Sequence, residues 1–266
     1  MLRDITLGQY YSSDSLIHRL DARVKIIATI LFIIELFLVK TFTGFAVCAG
    51  ALALVVIISG VPLRFILRGL KPVLLILLFT FLLNIFMIPG TVIWELGFIQ
   101  VTIEGLKLAA FMSIRLILLI IGSSMLTLTT TPLQLTDGLE MLFTPLSLIK
   151  VPTHELAMTM SIALRFIPTL LEETDTIMKA QQARGADFES GNFIRRAKAL
   201  VPVLLPLFIS AFRIAQDLSF AMEARCYRGG IGRTRMHKMK FSPADYAALL
   251  LMIAFFAAVI YWRGIL

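Results

Sequence analysis

Acidic, histidine and cysteine side chains are the raw material of catalysis and metal binding, and this chain holds few of them at useful spacing. Glu172, Glu173 and Asp175 lie close together, with Asp187 and Glu189 further on. A lipid-headgroup transferase with a basic cytosolic face would need such carboxylates joined to an arginine in a D-x-x-D-G-x-x-A-R pattern. No such pattern occurs, and a solvated helix face accounts for the acids better. The histidines, His18, His154 and His237, are scattered, and neither HExxH nor GxSxG is present. His18 and His237 fall in charged stretches, where surface positions are expected; His154 stands beside Pro152 at an expected helix start. Cys48 lies in an apolar run and Cys226 in a basic one, with no CxxC and no histidine at ligand spacing. A G-x-x-x-x-G-K-[ST] phosphate loop is also missing.

What does repeat is an arginine. "KAQQARGADF" (179–188) has a near-copy 41 positions later, "FAMEARCYRG" (220–229), and both read Ala-x-x-Ala-Arg followed by a small residue. Ala183 and Ala224 keep a last helical turn slim, and Gly185 can take the left-handed conformation that ends helices. Arg184 and Arg225 suit the negative end of the helix dipole, worth about 0.3–1 kcal/mol when exposed. One such end is a well-capped helix and nothing more. Two, at matching places on two long helices, read as a pair of docking knobs, because a guanidinium fork fits carboxylates and backbone carbonyls.

The elements that must carry these ends follow from composition. The chain is 58% hydrophobic and 16% charged, with a mean hydropathy of +0.88. A soluble domain has about a quarter charged residues, so this chain has too little polar surface for water and belongs in a bilayer. Residues 1–23 are polar, without the apolar core of a cleavable signal peptide. A sequence pI near 9.8 fits basic cytoplasmic loops better than nucleic acid.

A spanning helix needs about 20 apolar residues. Residues 24–39, 42–60, 70–90 and 106–128 supply four such segments, and 244–262 a fifth. Fourteen of the 25 Lys and Arg residues lie in the insert at 132–242, and Arg64, Arg68 and Lys71 lie in the loop at 61–71. Positive residues stay inside, so the N-terminus and the insert are expected in the cytoplasm and the C-terminus outside. Within the membrane, Glu35 and Arg115 are expected roughly 7 and 14 Å from the outer edge. They read as a structural pair, or Glu35 as a group wetted at the interface. Too few polar residues line the spans for a channel or a secondary transporter.

In the insert, residues 152–183 and 193–224 read as long helices, with kinks expected at Pro168 and at Pro202 and Pro206. The uncharged run of the second covers only residues 199–212, short for a span, so a sixth span is rejected. Leu164, Ile167, Leu170 and Leu171 share one helix face, as do Leu204, Leu207, Phe208 and Phe212 in the second helix. So much apolar surface in a cytoplasmic segment points to a partner as well as to mutual packing.

At the triplets Ala183-Arg184-Gly185 and Ala224-Arg225-Cys226, the chain resembles the transmembrane coupling subunit (T component, EcfT/CbiQ-like family) of energy-coupling factor importers of vitamins and metals. The opening "GQYYSSDSLIHRLDARVK" (8–25) also looks like that family's, and the order of spans and insert agrees. The resemblance implies an all-α integral membrane protein of about five transmembrane helices plus a cytoplasmic insert with two long coupling helices. The corresponding divisions are 1–131, 132–242 and 243–266. It further implies a non-catalytic subunit of a transporter in the prokaryotic cytoplasmic membrane, without a cofactor of its own; ATP and Mg would be bound by its partners. Those partners would be two ATP-binding-cassette ATPases, one at each arginine end, and a membrane substrate-binding subunit. The latter would face Leu164, Ile167, Leu171, Leu204, Leu207, Phe208 and Phe212. One departure is Cys226 in the place of glycine. Because cysteine takes positive φ less readily, the second helix is expected to run on toward "RGGIG" (228–232).

Overall fold

A computed structural model describes residues 10–96, 99–145, 152–188, 192–229 and 240–265. The chain divides into two compact units: Gly8–Gly138 with Met239–Leu266, and Leu139–Lys238.

The first unit is a helical bundle. In it are α1 (Leu16–Arg19), α2 (Ala22–Leu38), α3 (Phe42–Ser59), α4 (Leu63–Leu70), α5 (Leu74–Met87), α6 (Ile103–Thr129) and α10 (Pro243–Ile265), and α7 (Pro132–Phe143) begins there. Polar caps set the helix starts: Asp21 accepts from the Arg23 N–H, Thr41 from Gly44 and Thr102 from Gly105. α3 stops at Gly60, whose φ of 67° ends the helix in the left-handed conformation. A core of Phe32, Leu36, Phe45, Cys48, Leu52, Leu118, Met125 and Leu128 joins α2, α3 and α6. Gly122 lets α6 approach α2 so closely that an added Cβ would lie 2.7 Å from the Phe32 ring.

The outer faces are apolar. Ile57 of α3, Leu75 of α5 and Leu250 and Leu251 of α10 are each at least 70% exposed, a surface suited to lipid. By length and composition α3, α6, residues 198–224 of α9 and residues 243–261 of α10 can each cross a membrane, and α4 with α5 makes a fifth, bent candidate. The protein is therefore an all-α, multi-pass membrane protein. Two details differ from the sequence reading. The apolar stretch that excluded a sixth span is long enough once Arg213 and Asp217 are tolerated within it, whereas the helices at two of the expected spans are short, α2 with 17 residues and α5 with 14. The expected span at 70–90 starts late, because Pro72 separates α4 from α5 with a bend of 58°.

Between α5 and α6 the chain forms an antiparallel hairpin, β1 (Val92–Leu96) and β2 (Ile99–Thr102). Its register pairs Trp94 with Val101 and Leu96 with Ile99. This stretch lies between the expected spans at 70–90 and 106–128, and the β-branched residues Val92, Ile93, Ile99, Val101 and Thr102 are the signal for it.

The opening segment is stitched to the helix ends. The Tyr11 N–H donates to Leu128 O at 2.9 Å, and the Lys25 Nζ donates to Thr129 O at 2.8 Å and His18 O at 3.1 Å. Asp245 accepts from the Asp21 N–H (2.8 Å) and the Ser242 N–H (2.7 Å), so one buried carboxylate joins the starts of α2 and α10. His18 is not on an open surface: its ring meets the Ser15 hydroxyl at 2.7 Å and Tyr11 O at 2.9 Å.

Glu35 and Arg115 do not pair. Arg115 donates to the backbone carbonyls of Leu36 (3.2 Å) and Val39 (3.4 Å) and lies over the rings of Phe37, Phe45 and Phe111. The free carbonyls at the end of α2 attract the guanidinium. Glu35 is 1% exposed, so it is not wetted either, and neither of its carboxyl oxygens has a hydrogen-bond partner among the described residues.

The second unit is built on α8 (Thr153–Ala183) and α9 (Phe193–Ala224), helices of 31 and 32 residues that pack on each other. Both stay helical through their prolines, Pro168 in α8 and Pro202 and Pro206 in α9.

Candidate partner-docking site

The two arginine ends have the same backbone. In α8 the Gly185 N–H donates to Gln182 O (2.9 Å) and the Ala186 N–H to Gln181 O (3.0 Å). In α9 the Cys226 N–H donates to Glu223 O (2.9 Å) and the Tyr227 N–H to Met222 O (3.0 Å). This pair of bonds, six-to-one and five-to-two, is the Schellman closure of a helix. It places Arg184 (φ −88°, ψ 8°) and Arg225 (φ −92°, ψ 12°) at equivalent cap positions.

The closure needs a left-handed residue just beyond each arginine. Gly185 supplies φ 89° in α8, and Cys226 supplies φ 52° in α9. Cys226 is the one positive-φ residue other than glycine among the described residues. The expectation that the second helix runs on toward 228–232 is thus corrected: α9 stops at Ala224, because two hydrogen bonds to otherwise free carbonyls offset the strain of cysteine in that conformation. Residues 230–232 lie outside the described residues, as do Glu189 and His237.

Ala183, Arg184, Gly185, Ala224, Arg225 and Cys226 are all exposed. Neither arginine side chain has a hydrogen bond or an ion pair among the described residues. Each is a cation held at a fixed place with its donors unused.

The helices that present them run antiparallel. Gln181 near the end of α8 donates to Pro202 O early in α9 (3.4 Å), while the Tyr227 hydroxyl beyond α9 meets the Met158 sulfur early in α8 (3.0 Å). The two arginines therefore sit at opposite ends of the pair, separated by roughly 25 residues of helix or about 38 Å.

The apolar residues expected to face a partner fall into two groups. Leu164, Ile167, Leu171 and Leu207 are half-buried, whereas Leu204, Phe208 and Phe212 are exposed, by 48%, 62% and 71%. The exposed three are on α9, where Leu205 and Ile209 extend the same uncovered surface. A cleft of about 270 Å³ at the base of the second arginine end was not foreseen; Ala215, Leu218, Ser219, Met222, Glu223 and Tyr227 line it. Its signal was the small pair Ala215 and Ser219, four residues apart on one helix face.

Groups with chemical potential are spread out. His154, in the first turn of α8, pairs through Nδ1 with Glu140 of α7 at 3.0 Å. Glu172, Glu173 and Asp175 lie along α8, and no three His, Cys, Asp or Glu side chains converge on a metal position among the described residues.

The family model described as cobalt transport protein, CbiQ, matches residues 13–238, a stretch that includes both arginine ends. The chain belongs to the CbiQ family. Among CbiQ-family relatives, it is 55% identical over 260 residues to the energy-coupling factor transporter transmembrane protein EcfT of Ruminiclostridium cellulolyticum, covering 98% of this chain and 97% of that one. It is 56% identical over 249 residues to the EcfT of Thermosediminibacter oceani (94% of each chain). With the EcfT of Bacillus subtilis the identity is 47% over 265 residues, 99% of this chain and 100% of that one. The resemblance carried by the two triplets and the opening segment therefore holds across nearly the whole CbiQ-family chain.

Proposed function

We propose that this CbiQ-family chain is the transmembrane coupling subunit of an energy-coupling factor importer for a vitamin or metal ion. It passes the motion of two ATP-binding-cassette ATPases to a membrane-embedded substrate-binding subunit. The observation that carries the reading is the pair of equivalent, uncommitted arginine caps about 38 Å apart. A small domain is about 30 Å across, so one globular partner does not reach both ends. Two similar partners, one for each end, do.

Docking to two like partners puts both ends in one compartment, which excludes α9 as a span. Packing supports this, since α9 lies along α8, and α8 carries Arg165, Glu172, Glu173, Asp175 and Lys179 in its middle and last turns. The α8–α9 pair then lies along the cytoplasmic surface, with the N-terminus inside and the C-terminus outside. The uncovered Leu204, Phe208 and Phe212 face the substrate-binding subunit, and ATP with Mg stays on the ATPases. When the ATPases close, they draw on the two ends, and the long helices carry the movement to the apolar surface as levers. Membership of the CbiQ family gives no support to the membrane-enzyme alternative.

Co-purification from a bacterial membrane tests this. The full chain is expressed with a candidate pair of ATPases and with Arg184→Glu, Arg225→Glu or both. Each single reversal is expected to weaken one attachment, and the double change to release both ATPases from a chain that remains folded. Retention of both ATPases by the double variant would sink the docking assignment.

A further inference from the structure

The short helix α4 has an outward surface of two chemistries. At 100° per residue, the order around it is Phe65, Gly69, Ile66, Leu70, Leu63, Leu67, Lys71, Arg64, Arg68. The first part faces the bundle. Phe65, 38% exposed, packs one side on the Tyr11 ring at 5.1 Å, a Cβ on Gly69 would lie 3.3 Å from the Ser124 hydroxyl of α6, and Ile66 is buried. The remaining arc faces away. Leu63 and Leu67 are 67% and 60% exposed, and beside them Lys71, Arg64 and Arg68 are exposed too.

No described residue neutralises these three cations. None of the three side chains has a hydrogen bond or an ion pair among the described residues; Arg68 only lies over the Phe65 ring at 5.9 Å. The stretch 61–73 contains no acidic residue. The 58° bend at Lys71–Val73 also turns α4 away from the direction of α5. Buried in hydrocarbon, three cations would be untenable; in open water, Leu63 and Leu67 would be exposed without cause. A helix split lengthwise in this way fits the boundary between acyl chains and headgroups.

We infer that α4 is an interfacial helix whose Arg64, Arg68 and Lys71 bind the phosphate groups of anionic phospholipids. Leu63 and Leu67 enter the acyl region and hold the cations at headgroup depth. Each basic residue near an anionic membrane surface contributes roughly a fivefold preference before screening.

The test uses the full chain in nanodiscs containing spin-labelled phosphatidylglycerol or spin-labelled phosphatidylcholine, and reads the motionally restricted fraction of each. The native chain is expected to prefer phosphatidylglycerol by about threefold or more. R64Q/R68Q/K71Q is expected to approach parity, and R64K/R68K to keep the preference. Inorganic phosphate, compared with chloride at equal ionic strength, is expected to leave the preference intact. No preference in the native chain, or an unchanged one in the triple variant, overturns the inference. So does loss of the preference to inorganic phosphate, which would mark a free-anion site, and so does a triple variant that keeps the preference but loses the ATPases. Should the triple variant not fold, R64Q and K71Q are measured singly, and no change in either is equally decisive.

Discussion

Cys226 occupies a position where most helix ends use glycine, and its φ of 52° is a conformation that costs an L-residue with a Cβ about 1–2 kcal/mol. Cys226→Gly should relieve that strain and raise stability by about 1 kcal/mol, whereas Cys226→Val should open the closure at the Tyr227 N–H. Thermal unfolding and amide exchange at Tyr227 measure the two effects. Glu35 poses the opposite problem, a buried carboxyl whose oxygens have no partner among the described residues. Replacing an unsatisfied buried polar group by an apolar one of similar size is neutral or stabilising, so Glu35→Leu should leave the melting temperature unchanged or raise it. Arg115→Leu should lower stability by about 2 kcal/mol, since it strips the end of α2 of a charged donor. A marked fall in melting temperature for Glu35→Leu would show that the carboxyl has a partner in the membrane.

At the scale of elements, α2 and α6 meet through Gly122 and Phe32. Gly122→Ala should destabilise the bundle by about 1–3 kcal/mol, and Phe32→Leu should restore most of the loss. A double-mutant cycle without coupling would refute the contact. The opening segment responds to pH through His18. Burial pushes its imidazole below the ordinary 6.5, with Tyr11 O working in the opposite direction. The folded ring therefore binds its proton less readily than the unfolded one. Its contribution is complete above pH 6.5 and declines as pH falls below that value. The protection of the Tyr11 amide, its exchange rate compared with that of an unstructured amide at the same pH, should fall on acidification, and His18→Asn should flatten the response. These elements were unequally legible in the sequence. α8 and α9 were readable to within a residue, because Pro152 precedes one and Ala-Arg followed by a small residue ends both. The break at Pro72 and the hairpin at 92–102 were passed over, since hydropathy alone registers neither a bend nor a pairing. The hydrogen bonds from Lys25 to Thr129 O and from the Asp21 N–H to Asp245 were not legible, because the partners are 104 and 224 positions apart and only tertiary packing brings them together. Glu35 and Arg115 were picked out as charges within the membrane and wrongly matched, since the sequence does not show that free carbonyls at the end of α2 compete for the guanidinium.

For the molecule as a whole, two cysteines provide a natural test of how it sits in the membrane. Cys48 is buried in the bundle and Cys226 is exposed at the second arginine end. A membrane-impermeant maleimide should modify Cys226 in inside-out vesicles and not in intact cells; modification from outside would mean that α9 crosses the bilayer. The antiparallel register of α8 and α9 has a consequence of another kind. Each arm bears its jaw at the opposite end, so the pair has the geometry of callipers. If one helix slips past the other by a single turn, the gap between Arg184 and Arg225 changes by about 5.4 Å, without bending either arm. The span between two spin labels at Gln182 and Glu223 would then report, in ångströms, how far the arms have slid.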